Sequence, residues 1–386
     1  MRVLVVTSLF PNSARPLVAP FNRQQITALG RLCEVHTFAP ILTFPGARLL
    51  GNKITGLDAS KVPLSETIET LEVKHPRALY VPGLQGFFGV PLYAASLARH
   101  VAPYRGKVDV VFAAWAHPDG CAAPLIAKLL GVPCAVKVQG SDIDLFGEMV
   151  PHKYWLKAML PRVDRVIAVS RALARDVGKL GVPANRTRVV YNGVDPALFH
   201  VRDRAAAREQ LGLQPDARIV LYVGNVLKDK GVQELATAFE TIRQKDPNAH
   251  LAVVGKGPLL PLFEKLGDRV LVPGPRPLPE IPLWMAACDV LTLPSYHEGT
   301  PNVVIEALNC GRRVVATHVG GIPDLITDEQ LGVLVSPKNA EALTVALGDA
   351  LHVDYDANTV AAKGGRGDWN QSAQNLLDVL QELTPH

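Results

Sequence analysis

Two carboxylates, an ammonium group and several glycines are the residues of this chain whose types and spacing could do chemistry. Glu298 and Glu306 stand eight positions apart in Leu293-Pro294-Ser295-Tyr296-His297-Glu298-Gly299-Thr300-Pro301-Asn302-Val303-Val304-Ile305-Glu306-Ala307-Leu308. The run before Pro294 reads as a strand and the polar stretch as a turn. Pro301 suits a first helical position, because its φ is fixed and it has no N–H to leave unpaired. Val304, Ile305 and Leu308 then share an apolar face, and the helix ends near Gly311. In that arrangement Gly299 and Thr300 present backbone N–H groups at a helix N-terminus, which binds an anion without a cationic side chain. Glu306, inside the helix, could accept two sugar or ribose hydroxyls. The alternative is that Glu306 faces solvent and Glu298 caps the helix.

Leu221-Tyr222-Val223-Gly224-Asn225-Val226-Leu227-Lys228-Asp229-Lys230-Gly231 runs strand, glycine, basic loop, glycine, helix. That order brings an ammonium, a compact charge suited to phosphate, to a strand's carboxyl end. The alternative is a solvated charged loop. Val254-Gly255-Lys256-Gly257-Pro258 only superficially matches a dinucleotide fingerprint, since Leu260 stands where a third glycine is expected. It reads as a turn whose backbone passes close to something. Gly320-Gly321-Ile322-Pro323-Asp324 could form another anion-cradling loop. Ala116-His117-Pro118-Asp119-Gly120 and Gln139-Gly140-Ser141-Asp142 each follow a strand.

These segments need a scaffold. Apolar, β-branched runs recur at 3–6, 108–113, 134–138, 165–169, 219–223, 251–254, 289–293 and 313–316. Most lack polar alternation, as strands of a parallel sheet buried on both faces do. Helical stretches such as 23–32 and 235–242 lie between them, so right-handed βαβ units are expected. The alternation forms two blocks, the first ending near Val190 and the second near Ala350. The turn cluster Tyr191-Asn192-Gly193-Val194-Asp195-Pro196 and the charged stretch 201–210 separate them. Leu376, Leu377, Leu380 and Leu383 have helical spacing and need an apolar surface, which either block could supply. Residues 41–90 are the least regular. Two doubly wound α/β domains facing a central cleft are the expected architecture, with ligands beyond the strands' carboxyl ends.

The chain has 386 residues, enough for two or three domains, and is 48% hydrophobic and 20% charged. This is the composition of a globular protein. The net charge of +4 gives no polybasic footprint for nucleic acid. No apolar run reaches membrane-spanning length, and the N-terminus reads as a strand and not a signal peptide, so a cytoplasmic location is expected. The five cysteines show no CxxC spacing and read as reduced core residues.

Together, these segments resemble the donor half of retaining GT-B glycosyltransferases of family four. The Glu298…Glu306 pair matches that family's Glu-x7-Glu signature. Tyr191-Asn192-Gly193-Val194-Asp195, Val223-Gly224…Lys230-Gly231, Leu293-Pro294-Ser295 and Gly320-Gly321-Ile322-Pro323 match in order and spacing. The stretch from Trp369-Asn370 to Leu383 resembles the family's terminal helix, which returns to the first domain. The resemblance covers about residues 160–383. It implies domains at 1–195 and 196–365, with 366–386 as that returning helix.

The resemblance also implies roles. Glu306 would bind the ribose of a nucleotide-sugar. Glu298, with the amides of Gly299, Thr300, Pro301 and Asn302 as a segment, would hold the transferred sugar. Lys230 would neutralise the diphosphate, and Gly224 would let the backbone approach it. Arg276 lies where the family reads the base, and His117 matches a histidine that approaches the transferred sugar. Asn225 stands where members often carry Arg, and Lys228 is a candidate substitute. The loop Phe10-Pro11-Asn12-Ser13-Ala14-Arg15-Pro16 replaces the glycine-rich loop of many members.

The implied reaction moves a glycosyl group to a hydroxyl of a saccharide or lipid-linked acceptor with retained configuration. The departing phosphate would accept the acceptor's proton, with no metal and no cofactor. Bacterial envelope polysaccharide or glycolipid synthesis is the implied setting, with peripheral contact at the inner face of the membrane. The stretch 79–101, with Leu84, Phe87, Phe88, Leu92 and Tyr93, could make that contact, or could be an ordinary core helix with its loop. A nucleotide-sugar epimerase and a non-catalytic nucleotide-sugar-binding subunit are the competing readings.

Overall fold

The computed structural model describes residues 1–16, 18–44, 59–79, 85–144 and 150–384. The chain divides into two compact units, Met1–Asn192 with Trp369–His386, and Gly193–Asp368.

The first unit carries β1 (Arg2–Val6), β2 (Glu34–Phe38), β3 (Ile41–Thr43), β4 (Ser65–Ile68), β5 (Leu71–Lys74), β6 (Arg77–Leu79), β7 (Val110–Ala113), β8 (Cys134–Val138), β9 (Arg165–Ala168) and β10 (Thr187–Val189). Its main sheet has the order β10-β9-β8-β7-β1-β2-β5-β4, and β3 pairs with β6 separately. Val110–Ala113 and Cys134–Val138, the latter apolar except for Lys137, are buried along their whole length, as central parallel strands are. The exception to parallel pairing is β4, antiparallel to β5 at the sheet edge. Its alternating Ser65-Glu66-Thr67-Ile68 leaves one face open to water.

The second unit carries β11 (Arg218–Val223), β12 (Ala249–Val254), β13 (Val270–Leu271), β14 (Val290–Leu293), β15 (Arg313–Thr317) and β16 (Gly332–Val335). Their order is β13-β12-β11-β14-β15-β16, all parallel. The order therefore reverses between β11 and β14. Neighbouring loops leave in opposite directions at such a switch point, and open a crevice at the strands' carboxyl ends.

Several expected boundaries change. Two apolar residues at β13 and the polar, interrupted β2 and β10 carried too little pattern to be read as strands. The charged stretch 201–210 contains a helix, Arg204–Leu211, capped by Asp203 accepting from the Ala206 N–H at 2.7 Å. Its Arg208 is buried and donates to Asp289 at 2.8 Å. The second unit also continues beyond Ala350, through the helix Ala357–Gly364.

The terminal helix, Trp369–Gln381, belongs to the first unit and packs on the helix Pro20–Leu32. Leu376, Leu377 and Leu380 are buried in that unit's core, with Leu383 partly buried beside them. Polar pins accompany the apolar contact: Gln25 Nε2 donates to Ser372 Oγ at 2.9 Å, and Ser372 Oγ donates to the Tyr191 carbonyl at 2.7 Å. Lys137 of β8 is fully buried beside them, donating to Gln25 Oε1 at 2.6 Å and Asn192 Oδ1 at 2.8 Å. Burial pushes its ammonium down to about 7.

In the helix Gln85–Val101, Tyr93 and Leu97 are core residues, Leu92 is partly buried and Phe88 is exposed. Leu84 and the side chain of Phe87 lie outside the described residues. The cysteines of the first and second units are free thiols, mostly buried.

Candidate active site

The loops after β11 and β14 flank the second unit's switch point, and they hold the predicted cation and the first carboxylate. Lys230 ends a short 3-10 turn, Lys228–Lys230, and Glu298 lies in the turn after β14. Lys230 Nζ is 2.7 Å from Glu298 Oε1. The same oxygen accepts from Ser295 Oγ at 2.7 Å. Glu298 is therefore neither a helix cap nor a solvated carboxylate.

The fit between loops is made through backbone. The Tyr296 N–H donates to the Asp229 carbonyl at 2.8 Å. Gly231, at φ +66°, begins the next helix where a β-carbon would lie 1.9 Å from the Pro294 carbonyl oxygen. The Gly255 turn passes equally close to the first loop: a β-carbon there would lie 1.8 Å from the Gly224 carbonyl oxygen. The backbone contact expected of that turn is thus a contact with the loop carrying Gly224. The Gly255 N–H donates to the Gly274 carbonyl at 3.1 Å, which ties in the segment bearing Arg276. Arg276 itself is exposed, its guanidinium 3.8 Å from Glu280. Gly224 abuts the Tyr222 hydroxyl, which donates to the Asn225 carbonyl at 2.7 Å. The Asn225 and Lys228 side chains are exposed.

Gly320-Gly321 does not form a separate anion cradle. The Gly321 N–H is used on the Gly299 carbonyl at 2.7 Å, so this turn clamps the Glu298 loop.

Pro301 also departs from expectation. It is the N-cap, in extended conformation, and the helix is Asn302–Asn309. The proline's ring still closes the turn, one position earlier than expected. Gly299, Thr300 and Pro301 are buried and lead into that N-terminus; Val304, Ile305 and Leu308 form the buried face. Glu306 is partly buried on the same helix. Among the described residues its carboxylate has no side-chain hydrogen bond or ion pair, and loss of water pushes it up to about 7. A carboxylate in that state is an acceptor without a donor.

His117 belongs to the first unit, in the loop after β7. That unit also has a switch point, between β1 and β7. Its two loops are tied by Asp119, fully buried, which accepts from the Ser8 N–H and hydroxyl at 2.8 Å each and from the Tyr93 hydroxyl. Asp142 accepts from the N–H groups of Ala116, Gln139 and Gly140 at 3.0, 2.9 and 2.8 Å. Burial raises both carboxyls to about 6, against the lowering by these hydrogen bonds. The two Asp side chains thus fix the segment on either side of His117. The His117 ring packs 4.3 Å from that of His152. Burial and the neighbouring His152 push His117 down to about 3, so it is neutral at neutral pH.

Sequence reasoning missed the roles of Ser295, Asp119 and Asp142 in these sites. Ser295 lay within a recognised motif, but nothing in its spacing said that its hydroxyl reaches Glu298. Among the described residues, no group of three His, Cys, Asp or Glu side chains could hold a metal ion.

The family described as Glycosyl transferases group 1 matches residues 217–352, and that described as Glycosyltransferase Family 4 matches 26–198. A Bacillus subtilis protein named as the teichuronic acid biosynthesis glycosyltransferase TuaC is 30% identical over 356 residues, covering 90% of this chain and 88% of its own. The N-acetyl-alpha-D-glucosaminyl L-malate synthase of Bacillus anthracis is 29% identical over 64% of this chain and 67% of its own. Among solved structures, Anabaena HepE in complex with UDP and glucose superposes with a TM-score of 0.73 at 21% identity, over 99% of this chain and 100% of its own. Sucrose-phosphate synthase from Thermosynechococcus elongatus has the same score at 22% identity, over 99% of both chains.

Proposed function

The chain belongs to the group 1 glycosyltransferases of family four and has the GT-B fold, and from this we propose a retaining, metal-independent enzyme that takes its sugar from a nucleotide-diphosphate-sugar. The observation that carries the reading is the Lys230–Glu298 pair at the switch point, beside the N-terminus of a helix that holds Glu306, unpartnered among the described residues.

The parts suit a nucleotide-sugar. Glu306 accepts the two ribose hydroxyls, which supply the hydrogen bonds it lacks. Lys230 and the N–H groups of Gly299, Thr300 and Asn302 face the diphosphate, where negative charge grows as the bond to the sugar breaks. A fixed cation and fixed dipoles stabilise that charge more in the transition state than in the ground state. Glu298 accepts from hydroxyls of the transferred sugar. The leaving phosphate takes the acceptor's proton, so no side-chain nucleophile is needed. Arg276 lies on the segment that reads the base.

The name of the Bacillus subtilis relative favours a bacterial cell-envelope polysaccharide or glycolipid as product. No described helix is long and apolar enough to cross a membrane. Peripheral contact is favoured by the helices Gln85–Val101, Cys121–Leu130 and Val150–Met159, which pack together and contain no acidic residue. They carry Arg99, Lys128, Lys153 and Lys157, and expose Phe88, Leu125, Leu129 and Tyr154. Cations with interleaved apolar groups suit an anionic lipid surface.

Thermal unfolding with UDP-, GDP- and ADP-sugars, without and then with EDTA, tests the donor. A ligand that binds only the folded protein raises Tm by mass action. A rise with one donor, absent in Glu306→Ala, supports the reading. No rise with any donor sinks it. Loss of the rise on adding EDTA sinks metal independence, and NMR of the product's anomeric carbon decides retention. Donor turnover without an acceptor would indicate an epimerase.

A further inference from the structure

We infer that Ser295 is the positioning residue that keeps Glu298 aimed at the transferred sugar while Lys230 engages the diphosphate. This rests on the donor reading above and adds a division of labour within it.

Glu298 Oε1 has two donors at the same distance, 2.7 Å, but they are unlike. Lys230 reaches it from the loop after β11, on a long flexible stem with its side chain about a quarter exposed. A diphosphate arriving beside it competes for the ammonium. Ser295 has no such freedom. It is fully buried two residues after the end of β14, and its hydroxyl sits on a side chain with a single rotor. Its carbonyl in turn accepts from Thr317 Oγ1 at 2.5 Å, and Thr317 is the buried last residue of β15. The backbone beside Glu298 is held independently, because the Gly321 N–H donates to the Gly299 carbonyl at 2.7 Å. When Lys230 turns to phosphate, Ser295 remains as the bond that fixes Oε1. The second carboxylate oxygen is then held in one direction for a sugar hydroxyl.

Loss of the Ser295 hydroxyl should therefore weaken the recognition of the sugar and leave that of the diphosphate intact. The test measures Kd for UDP-, GDP- and ADP-glucose beside UDP, GDP and ADP, by calorimetry, in the wild type, Ser295→Ala and Thr317→Val. For the base that binds, Ser295→Ala should weaken the nucleotide-sugar about tenfold and change the free nucleoside diphosphate less than twofold. A lost hydrogen bond to a charged group is of that size. Thr317→Val should show the same pattern more weakly. Ser295→Ala with Glu298→Gln should cost less than the sum of the two, since they break one interaction.

Equal weakening of both ligands in Ser295→Ala, or weakening of neither, overturns the inference. A purely structural role predicts the first of these. Thr317→Val gives the same comparison if Ser295→Ala does not fold. If the wild type binds neither sugar nor diphosphate for any base, the donor reading fails, and this inference fails with it.

Discussion

Lys230 and Glu298 form a 2.7 Å ion pair although 68 positions separate them in the chain. Each comes from a loop on one side of the switch point between β11 and β14. On the proposed reading, the pair stores the cation beside a carboxylate until a diphosphate offers a denser negative charge. Lys230→Ala should lower kcat/KM with a nucleotide-sugar by about 10²–10³-fold, the range for removing one group that stabilises developing negative charge. Lys230→Arg should recover only part of this, because a planar guanidinium does not replace a compact ammonium. Steady-state kinetics of the three proteins check it. Full activity in Lys230→Ala would remove the lysine from the mechanism.

In the proposed donor site, Glu306 should make binding depend on pH. Burial holds its carboxyl at about 7, above the ordinary carboxylate value. The ionised form accepts two hydroxyls, and the protonated form has lost acceptor capacity. Donor affinity should therefore be full above pH 7 and fall by up to about tenfold per unit below it. Glu306→Gln should flatten that dependence, and Glu306→Ala should weaken binding about 10- to 100-fold. Titration calorimetry between pH 5.5 and 8.5, roughly a unit and a half on either side of the midpoint, reads both effects. A pH-independent wild type would refute the assignment.

Gly320 cannot carry a side chain without moving the Glu298 loop. Its φ is +52°, and a β-carbon would lie 1.6 Å from the Glu298 carbonyl oxygen. The conformation alone costs an L-residue about 1–2 kcal/mol, and the collision adds to it. Gly320→Ala should lower the Tm by several degrees and weaken nucleotide-sugar binding as the loop shifts. Calorimetry of the variant checks both. An unchanged Tm would show that the turn relaxes freely.

Lys137 makes the first unit's stability depend on alkaline pH. Its folded value of about 7 lies below the ordinary 10.5. Between those values the unfolded chain binds the extra proton, so stability rises with pH across the window and is lost on returning toward 7. The limiting slope is about 1.4 kcal/mol per pH unit. Lys137→Met should reduce that slope in urea unfolding at neutral and alkaline pH. An identical slope in the variant would place the titration elsewhere.

The legible parts of this protein were those in which local chemistry and periodicity agreed. The mostly apolar runs at Cys134–Val138 and 219–223 became central strands, because burial on both faces favours apolar side chains. The spacing of Glu298 and Glu306 and the glycines around Lys230 marked the loops. The short strands β10 and β13 did not show, since two or three residues carry no period. Pro301 was misplaced by one position, because a fixed φ suits both a first helical residue and an extended cap.

The sequence by itself determined the alternation of strands and helices, the family, and the residue types that can meet a sugar diphosphate. All of these are written in local order and spacing. Only the tertiary structure decided that β14 lies beside β11, and hence that Lys230 meets Glu298. Only it showed that Ser295 shares that carboxylate, that Gly321 spends its N–H on the Glu298 loop, and that Leu376 and Leu380 cover the first unit. The physical reason is that strand order and loop contact depend on how buried surfaces pack across long stretches of chain. Spacing along the chain does not encode that.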